Sequence, residues 1–193
     1  MKCIILAGGY GTRISEYTKT IPKPMIKIGD RPILEHIMNI YSKYGHNDFF
    51  IALGYKGEVI KDYFLKYHIL NSDFKIDLET GLVEPYGKSS KNWKVNLIDT
   101  GLNSNTGGRL LKLKKFIGNE PFLLTYGDAL TNLNLNNLIE FHKSNGKLIT
   151  VTAVRPPARF GEMQINKKNR VDSFLEKPQI GEGWINGGFF VVQ

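Results

Sequence analysis

Lys2-Cys3-Ile4-Ile5-Leu6-Ala7-Gly8-Gly9-Tyr10-Gly11-Thr12-Arg13, followed by Pro22-Lys23-Pro24-Met25, decides how the rest of the chain is read. Cys3 to Leu6 is a short apolar run of the kind expected for a strand buried on both faces of a parallel sheet, and glycines follow it at once. The backbone must turn sharply there. Glycine admits positive φ and lets a ligand approach the main chain, so successive N–H groups can point at phosphate oxygens. Arg13 can grip two such oxygens and Lys23 adds a point charge, which suits a polyphosphate. The stretch is neither a P-loop, which ends in Gly-Lys-Ser/Thr, nor the Gly-x-Gly-x-x-Gly dinucleotide fingerprint, since Ile14 stands at the last position. It reads as a phosphate-binding loop of another kind.

Working outward, the pattern alternates strand and helix. Ile33, Leu34, Ile37, Met38, Tyr41 and Tyr44 form an apolar stripe at helical spacing behind Pro32, and Gly45 stops it. Phe49 to Leu53 reads as a second buried strand ending at Gly54, and Val59, Ile60, Tyr63, Phe64 and Tyr67 mark a second helix. Val95 to Asp99, Phe122 to Tyr126 and Leu148 to Val154 read as further strands. A helix opens at Thr106-Gly107-Gly108-Arg109, where its free N–H groups can meet an anion or a base, and another runs from Leu135 to near Gly146. Such alternation predicts an α/β fold with a parallel sheet and ligands outside the carboxyl ends of its strands. Asp128 falls at such an end and is the candidate Mg²⁺ ligand; an Asx turn or helix cap is the competing structural role. Residues 71–93 depart from the pattern and are long enough to suggest a binding or subunit-contact role.

Length and composition set bounds. The chain has 193 residues, a formal net charge of +8 and 41% hydrophobic residues, which suits one domain with a sizeable core. No apolar run reaches the roughly 20 residues needed to span a bilayer and no signal peptide is evident, so a cytoplasmic protein without a membrane partner is expected. Cys3 is the only cysteine and should be a small buried residue. His36, His46, His68 and His142 lack metal-ligand spacing. The positive charge raises nucleic acid as a partner, but the clusters Lys112 to Lys115 and Lys167 to Arg170 lack interleaved aromatics, and solvated faces with no nucleic-acid partner are expected instead.

Taken together, Ala7 to Arg13, Pro22 to Met25, Asp99-Thr100-Gly101, Thr106 to Leu110, Thr125 to Asp128, Arg159-Phe160-Gly161, Glu176-Lys177-Pro178 and Ile185 to Phe190 resemble the sugar-1-phosphate nucleotidyltransferases, and its cytidylyltransferase members most. The resemblance implies a Rossmann-like, mixed but mainly parallel sheet flanked by helices, forming a single nucleotidyltransferase domain over 1–193. It also implies CTP and glucose 1-phosphate as substrates, CDP-glucose and pyrophosphate as products, Mg²⁺ as cofactor and a homo-oligomer. By the same resemblance Leu6, Ala7, Gly8, Gly9, Gly11, Thr12 and Arg13 hold the triphosphate, and Lys23 stabilises charge at the transferred phosphoryl group. Asp128 holds the metal, Thr106, Gly107, Gly108 and Arg109 sit near the nucleotide, and Glu176, Lys177, Asn186 and Gly187 line the sugar-phosphate side.

Two departures from the family pattern stand out. Ala129 replaces the glycine usual after the metal-binding Asp, and would crowd the turn if positive φ were required there. The chain also reads as short at its C-terminus, ending at Gln193 before the family's second metal-binding Asp; Asp99 and Asp172 are the other strand-end carboxylates, with structural roles expected first. The alternatives are a nucleotide or nucleotide-sugar binding protein without turnover, and a transferase using another nucleotide or acceptor.

Overall fold

The computed structural model describes residues 1–11, 20–87, 91–156, 162–175 and 183–193. They fall into a larger unit, Met1–Thr150 with Phe190–Gln193, and a smaller one, Val151–Phe189.

In the larger unit the buried apolar runs became parallel strands. Strand β1 (Cys3–Leu6) pairs with β4 (Asp48–Leu53) on one side and β8 (Phe122–Tyr126) on the other, and β4 pairs with β7 (Lys94–Asp99), all parallel. The six-stranded sheet has the order β7-β4-β1-β8-β12-β9, where β9 is Ile149–Val154 and β12 is Ile185–Val192. Short β2 (Lys27–Ile28) and β3 (Arg31–Pro32) pair antiparallel outside it.

Register explains which helix covers which face. In a strand alternate residues face opposite sides, and Ile4, Phe50, Ala52 and Leu124 form one cluster with Leu113 and Ile117 of α3 (Thr106–Ile117). The opposite face carries Cys3, Ile5, Phe49 and Ile51, all buried. There Tyr41 of α1 (Ile33–Ser42) lies beside Cys3 and Thr125, and burial pushes its phenol well above the usual range. Helix α2 (Gly57–Leu70) joins this side through Tyr67, whose ring meets Trp93 at 5.9 Å, while Trp93 meets Phe49 edge-on at 6.0 Å. Glu35 of α1, only 3% exposed, accepts hydrogen bonds from the hydroxyls of Tyr63 and Tyr67 on α2. A buried carboxylate thus ties the two helices by their polar groups.

Helix α4 (Leu135–Asn145) starts at Asn134, whose side chain accepts from the N–H groups of Asn136 and Asn137, and ends at Gly146 in the left-handed conformation. His142, buried, meets the hydroxyl of Thr150 at 2.9 Å, so it is a packed side chain. The described residues 71–87, within the 71–93 stretch, lie outside the six-stranded sheet. They contain an antiparallel hairpin of β5 (Phe74–Ile76) and β6 (Val83–Pro85) whose turn is fixed by Asp77 accepting from Glu79 and Thr80 N–H.

The smaller unit holds a second hairpin, β10 (Glu162–Ile165) and β11 (Val171–Leu175), antiparallel. Within it Arg155 stacks on Trp184 with 4.6 Å between guanidinium carbon and ring centre.

Candidate active site

The strand order locates a crevice. From β1 the chain lays down β4 and β7 outward in turn, then crosses back to place β8 on the other side of β1. In open α/β sheets ligands bind at the carboxyl ends of the strands where the order reverses. The loops leaving β1 and β8 there are Ala7 to Gly11 and Gly127-Asp128.

Several glycines permit the close approach of these loops. A side chain at Gly127 would lie 2.9 Å from the Pro24 ring and 3.0 Å from the Leu6 carbonyl, and the Gly127 N–H donates to that carbonyl at 3.0 Å. Pro24 and Met25, buried in a single 3-10 turn (Lys23–Met25), anchor the second motif against this end of β8. The result brings Lys23 Nζ to 2.6 Å from Asp128 Oδ2, across 105 residues of sequence. Both side chains remain partly exposed, at 25% and 35%. An ammonium and a carboxylate therefore stand together just beyond the carboxyl end of β8.

Arg109 lies behind the glycine loop. It is 5% exposed, and its guanidinium donates to the carbonyls of Gly8 (2.8 Å), Leu53 (3.0 Å), Gly101 (2.9 Å) and Leu102 (3.3 Å) and to Thr100 Oγ1 (2.6 Å). Burial pulls its pKa below the ordinary guanidinium value, with the charge of Asp99 opposing. No carboxylate of the described residues is within ion-pair distance of it. The Gly8 carbonyl also accepts the Tyr55 N–H at 3.2 Å. At the loop tip Tyr10 packs on Tyr55 with ring centres 5.4 Å apart, and its hydroxyl donates to Asn103 Oδ1 at 3.1 Å. Thr106, Gly107 and Gly108 form the first turn of α3, whose N-cap Asn105 makes no side-chain cap.

The structure thus joins Arg109 to Gly8 and Lys23 to Asp128, and sets Gly127 against Leu6 and Pro24; Ala7, Gly9 and Gly11 lie on the loop that follows Leu6. Asn186 and Gly187 lie on β12 in the smaller unit, where Asn186 Oδ1 accepts the Gly188 N–H at 2.8 Å and Gly187 faces the Thr152 carbonyl. Thr12, Arg13, Glu176 and Lys177 lie outside the described residues. Ala129 is not among the described residues with positive φ, so its methyl meets no backbone strain. Asp99 accepts the Gly101 N–H at 2.8 Å and Asp172 accepts from the Asn166 amide at 2.7 Å, so both serve local turns. Lys112, Lys114 and Lys115 are exposed, and the Lys112 ammonium donates to the Thr100 carbonyl at 2.8 Å and to Ser104 Oγ at 3.1 Å.

Sequence reasoning missed Gly54 and quoted Thr100 within Asp99-Thr100-Gly101 without giving it a role. A side chain at Gly54 would stand 2.6 Å from the Gly8 carbonyl oxygen and 2.7 Å from Arg109 Nη1. The signal was a glycine directly after a buried strand, as at Gly8, but it read only as a strand terminator.

As to metal, Asp128 offers one carboxylate oxygen donor at the crevice, and no cluster of three or more His, Cys, Asp or Glu occurs among the described residues. That donor set fits Mg²⁺, which is commonly held by one or two carboxylates together with substrate phosphates rather than by an all-protein cage. No described helix is long and apolar enough to cross a membrane.

The family model described as nucleotidyl transferase matches residues 2–192. The chain is 48% identical over 193 residues to the glucose-1-phosphate cytidylyltransferase of Salmonella typhimurium, covering all of this chain and 75% of that protein. It is 47% identical over 192 residues to a probable glucose-1-phosphate cytidylyltransferase of Bacillus subtilis, covering 74% of it. Among solved structures, HddC from Yersinia pseudotuberculosis, complexed with GMP-PN, matches with a TM-score of 0.66 and 28% identity over all of this chain and 76% of that one.

Proposed function

Because this chain belongs to the nucleotidyl transferase family, we propose that it transfers a cytidylyl group from CTP to glucose 1-phosphate, releasing pyrophosphate and forming CDP-glucose. The single observation that carries the sugar and the base is the 48% identity, along the whole chain, to an enzyme named for that reaction. The site chemistry supports it: a glycine loop, an ammonium and a carboxylate converge where the sheet order reverses.

In this reading a phosphate oxygen of glucose 1-phosphate attacks the α-phosphorus of CTP in line, and the bond to the bridging oxygen breaks as pyrophosphate leaves. Such transfer needs positioning and charge neutralisation more than a proton-transferring base. Leu6, Ala7, Gly8, Gly9 and Gly11 with Thr12 and Arg13 grip the triphosphate. Lys23 meets the charge that develops around the transferred phosphoryl group. Thr106 to Gly108 lie along the nucleotide, and Glu176, Lys177, Asn186 and Gly187 bind the sugar phosphate. Asp128 holds Mg²⁺, which supplies charge neutralisation to the phosphates when bound. Residues 1–193 act as one catalytic domain of a cytoplasmic homo-oligomer, with the 71–93 excursion at the subunit contact.

The test is pyrophosphate release with Mg²⁺ and glucose 1-phosphate, comparing CTP with UTP, ATP and GTP. Release with CTP is expected. Release only with another nucleotide overturns the base assignment, and CTP binding without release overturns turnover in favour of a nucleotide-binding protein. Lys23→Met is expected to lower kcat/KM by on the order of 10²- to 10³-fold, the range for losing one charge-stabilising donor. Asp128→Asn should weaken CTP binding in Mg²⁺ but not in its absence, as isothermal titration would read.

A further inference from the structure

We propose that Arg109 is a positioning residue for the phosphate loop, one that turns the Gly8-Gly9 peptide so that the Gly9 N–H is presented to the triphosphate. This role rests on the nucleotide site proposed above.

In a trans peptide the carbonyl of one residue and the N–H of the next point in opposite directions, and no cis peptide occurs among the described residues. The Gly8 carbonyl is held inward by two donors, Arg109 Nη2 at 2.8 Å and the Tyr55 N–H at 3.2 Å. The Gly9 N–H on the same plane is therefore turned away from them. Gly9 is exposed, with open space where a side chain would begin. A fixed, outward N–H on an exposed glycine is what an anion-binding loop needs.

Arg109 suits the task for two physical reasons. Its planar fork can meet several carbonyls at once, which a lysine ammonium cannot do in the same geometry. The acceptors come from three strand ends, namely Gly8 after β1, Leu53 at the end of β4 and Thr100, Gly101 and Leu102 after β7, so one side chain fixes them relative to each other. Its hydrogen-bond partners are neutral oxygens and no carboxylate of the described residues lies within ion-pair distance, so its charge stands directly behind the loop with only the more distant Asp99 acting on it. A positive charge in a water-poor place attracts an anion more strongly than the same charge in solvent. Gly54 completes the arrangement, since any side chain there would occupy the space of the guanidinium and the Gly8 carbonyl.

The experiment compares wild type with Arg109→Lys for binding of CTP and of inorganic tripolyphosphate, both with Mg²⁺, and follows hydrogen exchange of the Tyr55 amide without ligand. Expected is a loss of about tenfold, as for one charge-assisted contact, by the same factor for both probes, together with faster Tyr55 exchange. A loss for CTP that spares tripolyphosphate overturns the proposal, because it assigns Arg109 to the nucleoside. Unchanged affinities overturn it as well, as does weaker binding with unchanged Tyr55 exchange. Should Arg109→Lys fail to fold, Thr100→Val removes one acceptor of the guanidinium without touching the loop. The same readouts should then move in the same direction by about threefold, and unchanged values overturn the proposal. A wild-type protein that binds neither probe overturns the nucleotide site itself, and this role with it.

Discussion

At the scale of single residues, the site is defined as much by missing side chains as by charged ones. Gly54 and Gly127 have no Cβ to collide with the Gly8 carbonyl, the Arg109 guanidinium, the Leu6 carbonyl or the Pro24 ring. Each of those atoms belongs to backbone, a ring or a pinned guanidinium, so none can easily yield. Gly54→Ala is therefore expected to cost about 1 to 3 kcal/mol as an overpacking change. Its effect should be local: weaker CTP binding and faster exchange at Gly8 and Tyr55, with protection in β1 and β4 retained. Equal CTP affinity in Gly54→Ala would show that the loop tolerates displacement and that the close approach has no bearing on binding. The sequence singles out Lys23 and Asp128 because each carries its chemistry in its side chain and sits in a motif, and the structure pairs them. Gly54 and Thr100 are given no part in the site, because their importance lies in what comes near them. Arg109 was read from the resemblance as a residue near the nucleotide; its burial against carbonyls from three strand ends is a property of tertiary packing that no local pattern records.

Elements differ in legibility for a similar reason. The strands β1, β4 and β8 announced themselves as continuous apolar runs because both faces of a parallel sheet are covered, and α1 and α2 through stripes at helical spacing. The hairpins β5–β6 and β10–β11 did not, since short, largely exposed strands such as β5 carry no clean alternation. Between α1 and α2, Glu35 sits on the buried stripe where an apolar residue would be expected, and only the structure shows that Tyr63 and Tyr67 answer it. That junction has a pH dependence. The Tyr67 phenol is pushed up from 10.0 to about 12, first by burial and then by the Glu35 charge. A group whose folded pKa is raised contributes stability fully below its unfolded pKa and loses it as pH rises through the folded value. Unfolding midpoints in urea should thus fall between about pH 10 and 12. Tyr67→Phe, which has no proton to lose there, should show a shallower fall over the same window. An identical slope in the variant would remove Tyr67 as a source of alkaline sensitivity.

For the whole molecule the outstanding feature is apolar surface. The hairpin and its flanks expose Phe74 at 42%, Ile76 at 48%, Leu78 at 87%, Leu82 at 57% and Tyr86 at 63%, and α2 adds Leu65 at 79% and Leu70 at 69%. Single exposed apolar residues are ordinary, but a run of them on one short element is not. A two-stranded hairpin is also marginally stable by itself in water and ordinarily needs a surface to pack on. The net charge of +8 works against self-association through Coulomb repulsion, so apolar burial is the contribution expected to offset it in a contact between copies. A second copy is the proposed partner for this hairpin. Sedimentation of the wild-type chain should therefore give a species larger than the 21.9 kDa monomer, and more salt should strengthen it by screening the repulsion. Replacing Leu78 and Leu82 together by Asp should shift the population to monomer. Because both residues lie well outside the crevice loops in sequence, the folded monomer should keep its CTP affinity. A wild-type chain that sediments as a monomer at every salt concentration would refute the assignment, and so would a double variant that remains associated.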